Sequence, residues 1–439
     1  MRELCIREFA YIIQDEQGNE TNQLDLCSVN PKAWKFLEEC AYSNDKEKRF
    51  IKASSYKGKK AFQVVNFVGV ITTPDGTHLE ILPKTNEDGQ DFDETRKLLV
   101  RMLFEIDDLT YLETTDASLV LYDKPLPEIL INRFLHKLAD VVRKGIRKDY
   151  QRIEAEEKFL KGQLLVSQQL NQPVGKQHLF RIAYDVFTED RAENRLIHAA
   201  LVQVARWSKS EENQKLAREL RFAFNDIPKS SDYKTDFSLW RDSRDMISYR
   251  ALLPWVKLIL NHQSPFAIKS DHTGISFLFP MESLFEKYVA KILQKTAIKD
   301  PTDYAVRTQL SEAYLSKDPD AFLLKPDLAI YEGIVIKGIL DTKWKLIDQN
   351  TTYKNGKDDP KSSISQSDMY QMFAYGHKYL KGAAGKLMLI YPKWTMFKDE
   401  KKPFDLGNGL TLDVFPFDLT DPITSANRII ERFKPSMKT

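Results

Sequence analysis

Two phrases in the last third of the chain constrain it most: Leu324-Lys325-Pro326-Asp327 and Leu340-Asp341-Thr342-Lys343-Trp344-Lys345. Between them lie two apolar, β-rich runs, Leu328-Ala329-Ile330-Tyr331 and Ile334-Val335-Ile336, on either side of Glu332-Gly333. That pattern predicts a strand pair joined by a tight turn. Asp341 and Lys343 stand two residues apart, so on a strand both side chains leave the same face. The hairpin carries Asp327 back toward them. Two carboxylates and one amine are therefore expected to converge on one point.

Such a set suits metal-assisted hydrolysis of a phosphodiester, in which negative charge builds on a centre that is already anionic. Mg²⁺ held by carboxylates absorbs that charge and lowers the pKa of a bound water. Asp327 and Asp341 are the expected ligands, helped by the Thr342 carbonyl, while Lys343 orients or deprotonates the water and neutralises developing charge. Taken alone, the same residues also fit an ordinary ion pair at strand ends. The flanking segments favour the site.

Upstream, apolar residues at 281, 284, 285, 288, 289, 292 and 293 follow helical spacing, with Glu282 and Glu286 bordering the stripe one turn apart. Downstream, Ser365 to Tyr375 reads as a helix with Gln371 and Tyr375 one turn apart on one face; Gln366 and Tyr370 fit the same spacing. From 281 the predicted order is helix, strand (about 303–310), strand (326–331), strand (334–345), helix (364–380) and strand (386–392). This αβββαβ order is that of a restriction-endonuclease-like core. A strand at 410–417 and a helix near 423–433 follow.

Leu284-Phe285-Glu286, Lys325-Pro326-Asp327, Asp341-Thr342-Lys343-Trp344-Lys345 and Tyr370-Gln371-x3-Tyr375-Gly376 together resemble McrC, the nuclease subunit of McrBC modification-dependent restriction systems in the PD-(D/E)xK superfamily. Upstream, His78-Leu79-Glu80-Ile81-Leu82-Pro83-Lys84 resembles the family's Ile-x-Pro-Lys strand end, and Glu193-Asn194-Arg195-Leu196-Ile197 the opening of its central helix. Leu160-Lys161-Gly162-Gln163-Leu164 resembles a further phrase, with Gln163 where the family usually carries arginine. The resemblance is strongest over roughly 281–395 and extends over 78–207.

The resemblance implies Glu286 as a third metal carboxylate beside Asp327 and Asp341, and Gln371 and Tyr375 as accessory residues that bind DNA phosphate or hold Lys343. The Gln366/Tyr370 register stays open. It also implies Mg²⁺ as cofactor, double-stranded DNA carrying 5-methylcytosine as substrate, and a role in phage defence. The implied partner is a McrB-like AAA+ GTPase ring, which reads methylated DNA and whose GTP hydrolysis the N-terminal part stimulates. A self-dimer through the nuclease domain is a further expectation.

At 439 residues the chain should hold two or three domains. The expected class is α+β multidomain: a β-rich domain over 1–125 that engages the ring, a mainly helical middle region over 126–270, and the nuclease domain over 271–439. The first carries β-like runs at 61–71 and 78–83 and a helix at 96–104. The second carries helices at 129–146, 194–207, 211–224 and 246–260, with a loop at 228–236. Polar segments at 85–93 and 263–274 read as a loop and a boundary, and 348–363 as a loop that closes over DNA or stays disordered. Cys5, Cys27 and Cys40 make no Cys-x-x-Cys pair, so neither a disulfide framework nor a zinc site is expected. The first residues lack a secretory apolar core and no run reaches transmembrane length, so the expected compartment is the cytoplasm, with no membrane partner.

The net charge is +2, from 65 basic and 63 acidic residues, which is too balanced to grip DNA by overall charge. The densest basic stretch, 133–152, reads first as a solvated helix face and second as a DNA-facing one. No Gly-x4-Gly-Lys-[Ser/Thr] occurs; Gly382-Ala383-Ala384-Gly385-Lys386-Leu387 has the wrong spacing and no hydroxyl for magnesium. Nucleotide hydrolysis is thus assigned to a partner. Two other classes fit less well: a stand-alone repair or recombination nuclease, and a non-catalytic ring activator, against which Asp327, Asp341 and Lys343 argue.

Overall fold

The structure, a computed structural model, describes residues 3–15, 21–42, 49–85, 92–106, 124–241, 243, 246–260, 276–300, 304–349, 363–380 and 385–434. The segments read as loops or boundaries at 85–93, 263–274 and 348–363 fall largely outside the described residues, as do the first three residues of the Gly382 phrase. Contacts group the chain into two compact units, Met1–Asp123 with Leu278–Thr439, and Lys124–Phe277. The sequence reading set out three consecutive parts; in the structure the first and last of these share one unit.

Within the first unit, the N-terminal strand Glu3–Arg7 pairs in parallel with His78–Leu82, which pairs antiparallel with Phe67–Thr72. The strand Ser276–Pro280 completes this four-stranded sheet and runs straight into the helix Met281–Lys299. A second sheet of five strands contains Tyr11–Gln14, Leu26–Val29, Ile51–Tyr56 and Lys59–Val64. Against it lies the helix Pro31–Ala41, which the sequence reading did not mark. The Asn30 side chain caps that helix, accepting from the backbone N–H of Lys32 and Ala33, and Trp34 packs on Phe62 with ring centroids 4.4 Å apart.

The helix Met281–Lys299 buries 281, 284, 285, 288, 289, 292 and 293, as its spacing predicts, and extends the stripe to Thr296 and Ala297. After it comes a six-stranded mixed sheet, ordered Tyr304–Thr308, Leu328–Glu332, Val335–Thr342, Gly385–Pro392, Leu410–Phe417, Phe404–Asp405. The expected hairpin is there: Glu332 faces Val335 across a two-residue turn. Gly333 takes φ +60°, a conformation that glycine adopts without steric cost. One hairpin was not expected, Ala313–Lys317 with Asp320–Leu324, inserted between the first two strands.

Strand parity places the site. Ala329, Tyr331, Ile339, Leu387, Leu389 and Tyr391 pack with Met372, Tyr375 and Tyr379 of the helix Gln366–Tyr379. With a period of two, the face that carries Ile339 also carries Asp341 and Lys343. Val335–Thr342 is a central strand, hydrogen-bonded antiparallel on one side and parallel on the other.

The second unit is mainly helical, with Leu126–Arg143, Ala192–Trp207, Glu211–Ala223 and Leu253–Leu260 as its longer helices. It also holds a three-stranded antiparallel sheet, Asp149–Glu157, Phe180–Thr188 and the short Gln163–Leu164, which the helical reading of 126–270 omitted. The Glu193-Asn194-Arg195 phrase does structural work here. Buried Asn194 donates to the carbonyls of Arg147 and Glu189 and accepts from the Tyr249 hydroxyl, and Arg195 pairs with Asp236 and Asp190. Among the described residues no helix is long and apolar enough to cross a membrane.

Candidate active site

The cleft at the end of the Val335–Thr342 strand, about 450 Å³ in volume, is lined by Glu282, Glu286, Asp327, Asp341, Lys343, Lys345, Asp368 and Gln371 among others. Asp341 is 1% exposed. Lys343 Nζ lies 2.5 Å from Asp341 Oδ2, yet that oxygen accepts no well-directed hydrogen bond. Asp327 Oδ2 accepts from both the backbone N–H (2.8 Å) and the hydroxyl (2.7 Å) of Thr342, which fixes the start of one strand to the end of its neighbour. The sequence-derived trio is thus brought together.

Lys343 is held from the other side by a continuous chain of bonds. Its Nζ donates to Gln371 Oε1 at 3.1 Å, Gln371 Nε2 donates to the Tyr375 oxygen at 2.7 Å, and the Tyr375 hydroxyl donates to the Lys325 carbonyl at 3.0 Å. The chain ends two residues before Asp327, closing a loop around the site. Gln371 and Tyr375 therefore occupy the register left open in the sequence. Gln366 and Tyr370 bond to one another instead, with Tyr370 65% exposed.

Glu286 is half-buried and reaches the same cleft, its Oε1 accepting from Gln309 at 3.3 Å; the Gln309 backbone N–H donates to the Asp327 carbonyl. Glu282 is exposed and accepts from Asn66 Nδ2 at 2.8 Å. Two further residues join the site without having been singled out. Asp368, 5% exposed, lies 3.2 Å from Lys345 Nζ and accepts from the Tyr391 hydroxyl. Trp344, which lines the cleft beside Lys343 and Lys345, packs on Phe285 at 5.3 Å and donates its indole N–H to Glu8.

The electrostatics follow from crowding. Burial, then the neighbouring Asp327 charge, pushes Asp341 up to about 7 against the pull of Lys343. Burial and Asp327 likewise raise Glu286. Burial acts to lower Lys343, but the Asp341 and Asp327 charges outweigh it and its pKa ends above the usual lysine value. Carboxylates crowded in one cleft, one of them almost fully buried, suit a bound cation. Among the described residues no group of three His, Cys, Asp or Glu side chains is placed to hold a metal ion; Asp327, Asp341 and Glu286 line one cleft.

Fold and cleft together define a mixed α+β protein with a carboxylate–lysine site at the end of a central strand. The chain belongs to the McrBC family: the family model described as McrBC 5-methylcytosine restriction system component matches residues 62–392. Among solved structures, it is similar to a chain in the refined half-complex from the tetradecameric assembly of Thermococcus gammatolerans McrB AAA+ hexamers with bound McrC. The TM-score is 0.62 at 18% identity, over 98% of this chain and 100% of that one. That likeness is one of fold. A chain in the cryo-EM structure of the Thermococcus gammatolerans McrBC complex matches 68% of this chain and 89% of its own length, with TM-score 0.46 and 21% identity. No curated protein matches the chain.

Proposed function

We propose that this chain is the Mg²⁺-dependent DNA endonuclease subunit of a methylation-dependent restriction complex, built on a restriction-endonuclease-like PD-(D/E)xK core. The observation that carries this reading is the convergence of Asp327, Asp341 and Lys343 in one cleft, with the lysine anchored through Gln371 and Tyr375. Its cofactor is Mg²⁺, held by Asp327 and Asp341 with Glu286 beside them. Bound there, the ion supplies a Lewis acid for the scissile phosphate and an acidified water.

The chain's own residues do the rest. Lys343, held above the usual lysine value by the Asp341 and Asp327 charges, orients or deprotonates the water and neutralises charge developing at the phosphoryl oxygens. Gln371 and Tyr375 restrict its swing. Thr342 holds Asp327 at a set distance from Asp341. The residues proposed for catalysis are Asp327, Asp341, Lys343, Glu286, Gln371 and Tyr375.

The partner is a McrB-like AAA+ GTPase ring, whose hydrolysis this chain stimulates; the relative of the same fold was seen with McrB hexamers. The substrate is methylated double-stranded DNA, and the compartment the cytoplasm. Incubating the chain with and without the adjacently encoded AAA+ protein, methylated duplex, GTP and Mg²⁺ tests the reading. Cutting that needs all of them supports it. Equal cutting without the ring assigns a stand-alone nuclease, and GTPase stimulation without cutting assigns a ring activator.

A further inference from the structure

The proposed cutting cleft is a poor place to hold DNA: its lining carries five carboxylates, Glu282, Glu286, Asp327, Asp341 and Asp368, against two lysines. Phosphate contacts must come from elsewhere, and the densest basic stretch of the sequence does not supply them in full. Arg133 and Lys137, each 8% exposed, are buried in the second unit, and Lys137 lies over the Trp255 ring.

A different surface has the right character. A groove of about 580 Å³ in the second unit, between the helices Ala192–Trp207 and Glu211–Ala223, is lined by His198, Val202, Ala205, Arg206, Arg218, Arg221, Phe222, Asn225 and Lys229. Three guanidinium groups, an ammonium and an imidazole line it, and no carboxylate does. Arg206, Arg218, Arg221 and Lys229 are exposed. None of the four makes an ion pair among the described residues, unlike Arg143, Arg195, Arg241 and Arg428. The local field is felt inside: burial first, and then the Lys229 and Arg221 charges, hold His198 below its usual range, while its Nδ1 bonds the Ile227 carbonyl. Phe222 stands 83% exposed at the same groove.

We infer that this groove binds the phosphodiester backbone of DNA, with Arg206, Arg218, Arg221 and Lys229 as the phosphate contacts and Phe222 as an apolar platform beside them. Guanidinium groups match phosphate oxygens in paired hydrogen bonds, and Phe222 supplies apolar contact area beside them. The inference rests on the proposed nuclease reading for its choice of polyanion.

Fluorescence anisotropy of a labelled duplex, titrated with the full chain in EDTA, tests it without any cleavage. Changing Arg206, Arg218, Arg221 and Lys229 together to Gln should weaken binding tenfold or more near 50 mM salt and flatten the salt dependence by about 3 to 4 in log–log slope. Replacing the three arginines by Lys should keep the slope, and Phe222→Ala should weaken binding without changing it. Arg143→Gln with Lys144→Gln, exposed cations outside the groove, serves as control. Wild-type affinity and slope in the cooperatively melting quadruple variant would overturn the inference. So would competition by polyglutamate as effective as unlabelled duplex at equal charge, which would assign the groove to an acidic protein surface. Because no metal is present, failure here leaves the cutting cleft untouched, and an inactive cleft leaves this binding result intact.

Discussion

The indole N–H of Trp344 donates to Glu8 Oε2 at 2.9 Å, joining residues 336 positions apart in the chain. The same oxygen accepts from the Lys84 backbone N–H at 3.1 Å, at the end of the Ile81-Leu82-Pro83-Lys84 phrase. Glu8 is fully buried and its other oxygen has no partner. Trp344 is flanked by Lys343 and Lys345, so the N-terminal strand system is fastened to the backbone that carries the proposed catalytic lysine.

Burial raises Glu8 from 4.5 to about 8, against the opposing pull of its two hydrogen bonds. Between those values the unfolded chain has released the proton while the folded chain retains it. This group's contribution to stability is therefore full below pH 4.5, and declines up to pH 8 at a limiting rate of about 1.4 kcal/mol per pH unit. Glu8→Gln stays neutral and should lose that dependence. Urea unfolding of both chains from pH 5 to 9 checks it; stability curves that run parallel would show Glu8 to be ionised in the fold.

Asp327→Ala, Asp341→Ala and Lys343→Ala should each cut the cleavage rate on the order of 10²-fold or more while melting stays cooperative. Partner GTPase stimulation should persist in all three. Near wild-type cutting by Asp341→Ala would remove this cleft from consideration.

The lysine tether gives a sharper test. Tyr375→Phe breaks the bond to the Lys325 carbonyl, and Gln371→Leu frees Lys343; both should lower the single-turnover cleavage rate with little effect on DNA affinity. Gln366→Leu and Tyr370→Phe, on the exposed pair, should do neither. If the exposed pair proves the sensitive one, the helix is set one position wrong against the sheet.

Glu286→Gln should raise the Mg²⁺ concentration needed for cleavage, since a carboxylate is lost from the cleft. Glu282→Gln should leave that requirement nearly unchanged, because Glu282 is committed to Asn66. Paired magnesium titrations separate the two.

Residues 1–123 produced alone should fail to melt cooperatively. The helix Phe92–Ile106 packs on Met281–Lys299, Glu105 pairs with Lys295, and Asn66 bonds both Met281 and Glu282. A sharp thermal transition from that fragment would show that the N-terminal sheets stand by themselves.

The site residues were legible because their geometry is local: parity fixes Asp341 with Lys343, and a two-residue turn returns Asp327. Spacing could not separate Glu286 from Glu282, and both line the cleft. Asp368 left no trace, because a carboxylate at a helix start resembles any capping-turn acid until the sheet places Lys345 and Tyr391 beside it. The sheet around Asp149–Glu157 escaped because DYQRIEAEE, largely exposed, has no apolar alternation. The basic groove escaped for a similar reason: its cations come from separate turns of two helices and the loop beyond, while the chain total averages to +2. The pairing of the first and last segments could not be read at all, since long-range contacts carry no periodicity.

That pairing sets a timetable for the chain's birth. Glu8 leaves the ribosome 336 residues ahead of its partner Trp344. At roughly 5–20 residues per second that interval lasts roughly 20 to 70 s. The apolar face of Phe92–Ile106 waits for Met281–Lys299, while the continuous Lys124–Phe277 unit can fold on its own schedule. The Glu8–Trp344 fastening thus forms only after the whole Lys124–Phe277 unit has been made, and a chain broken off before Trp344 carries no finished cleft.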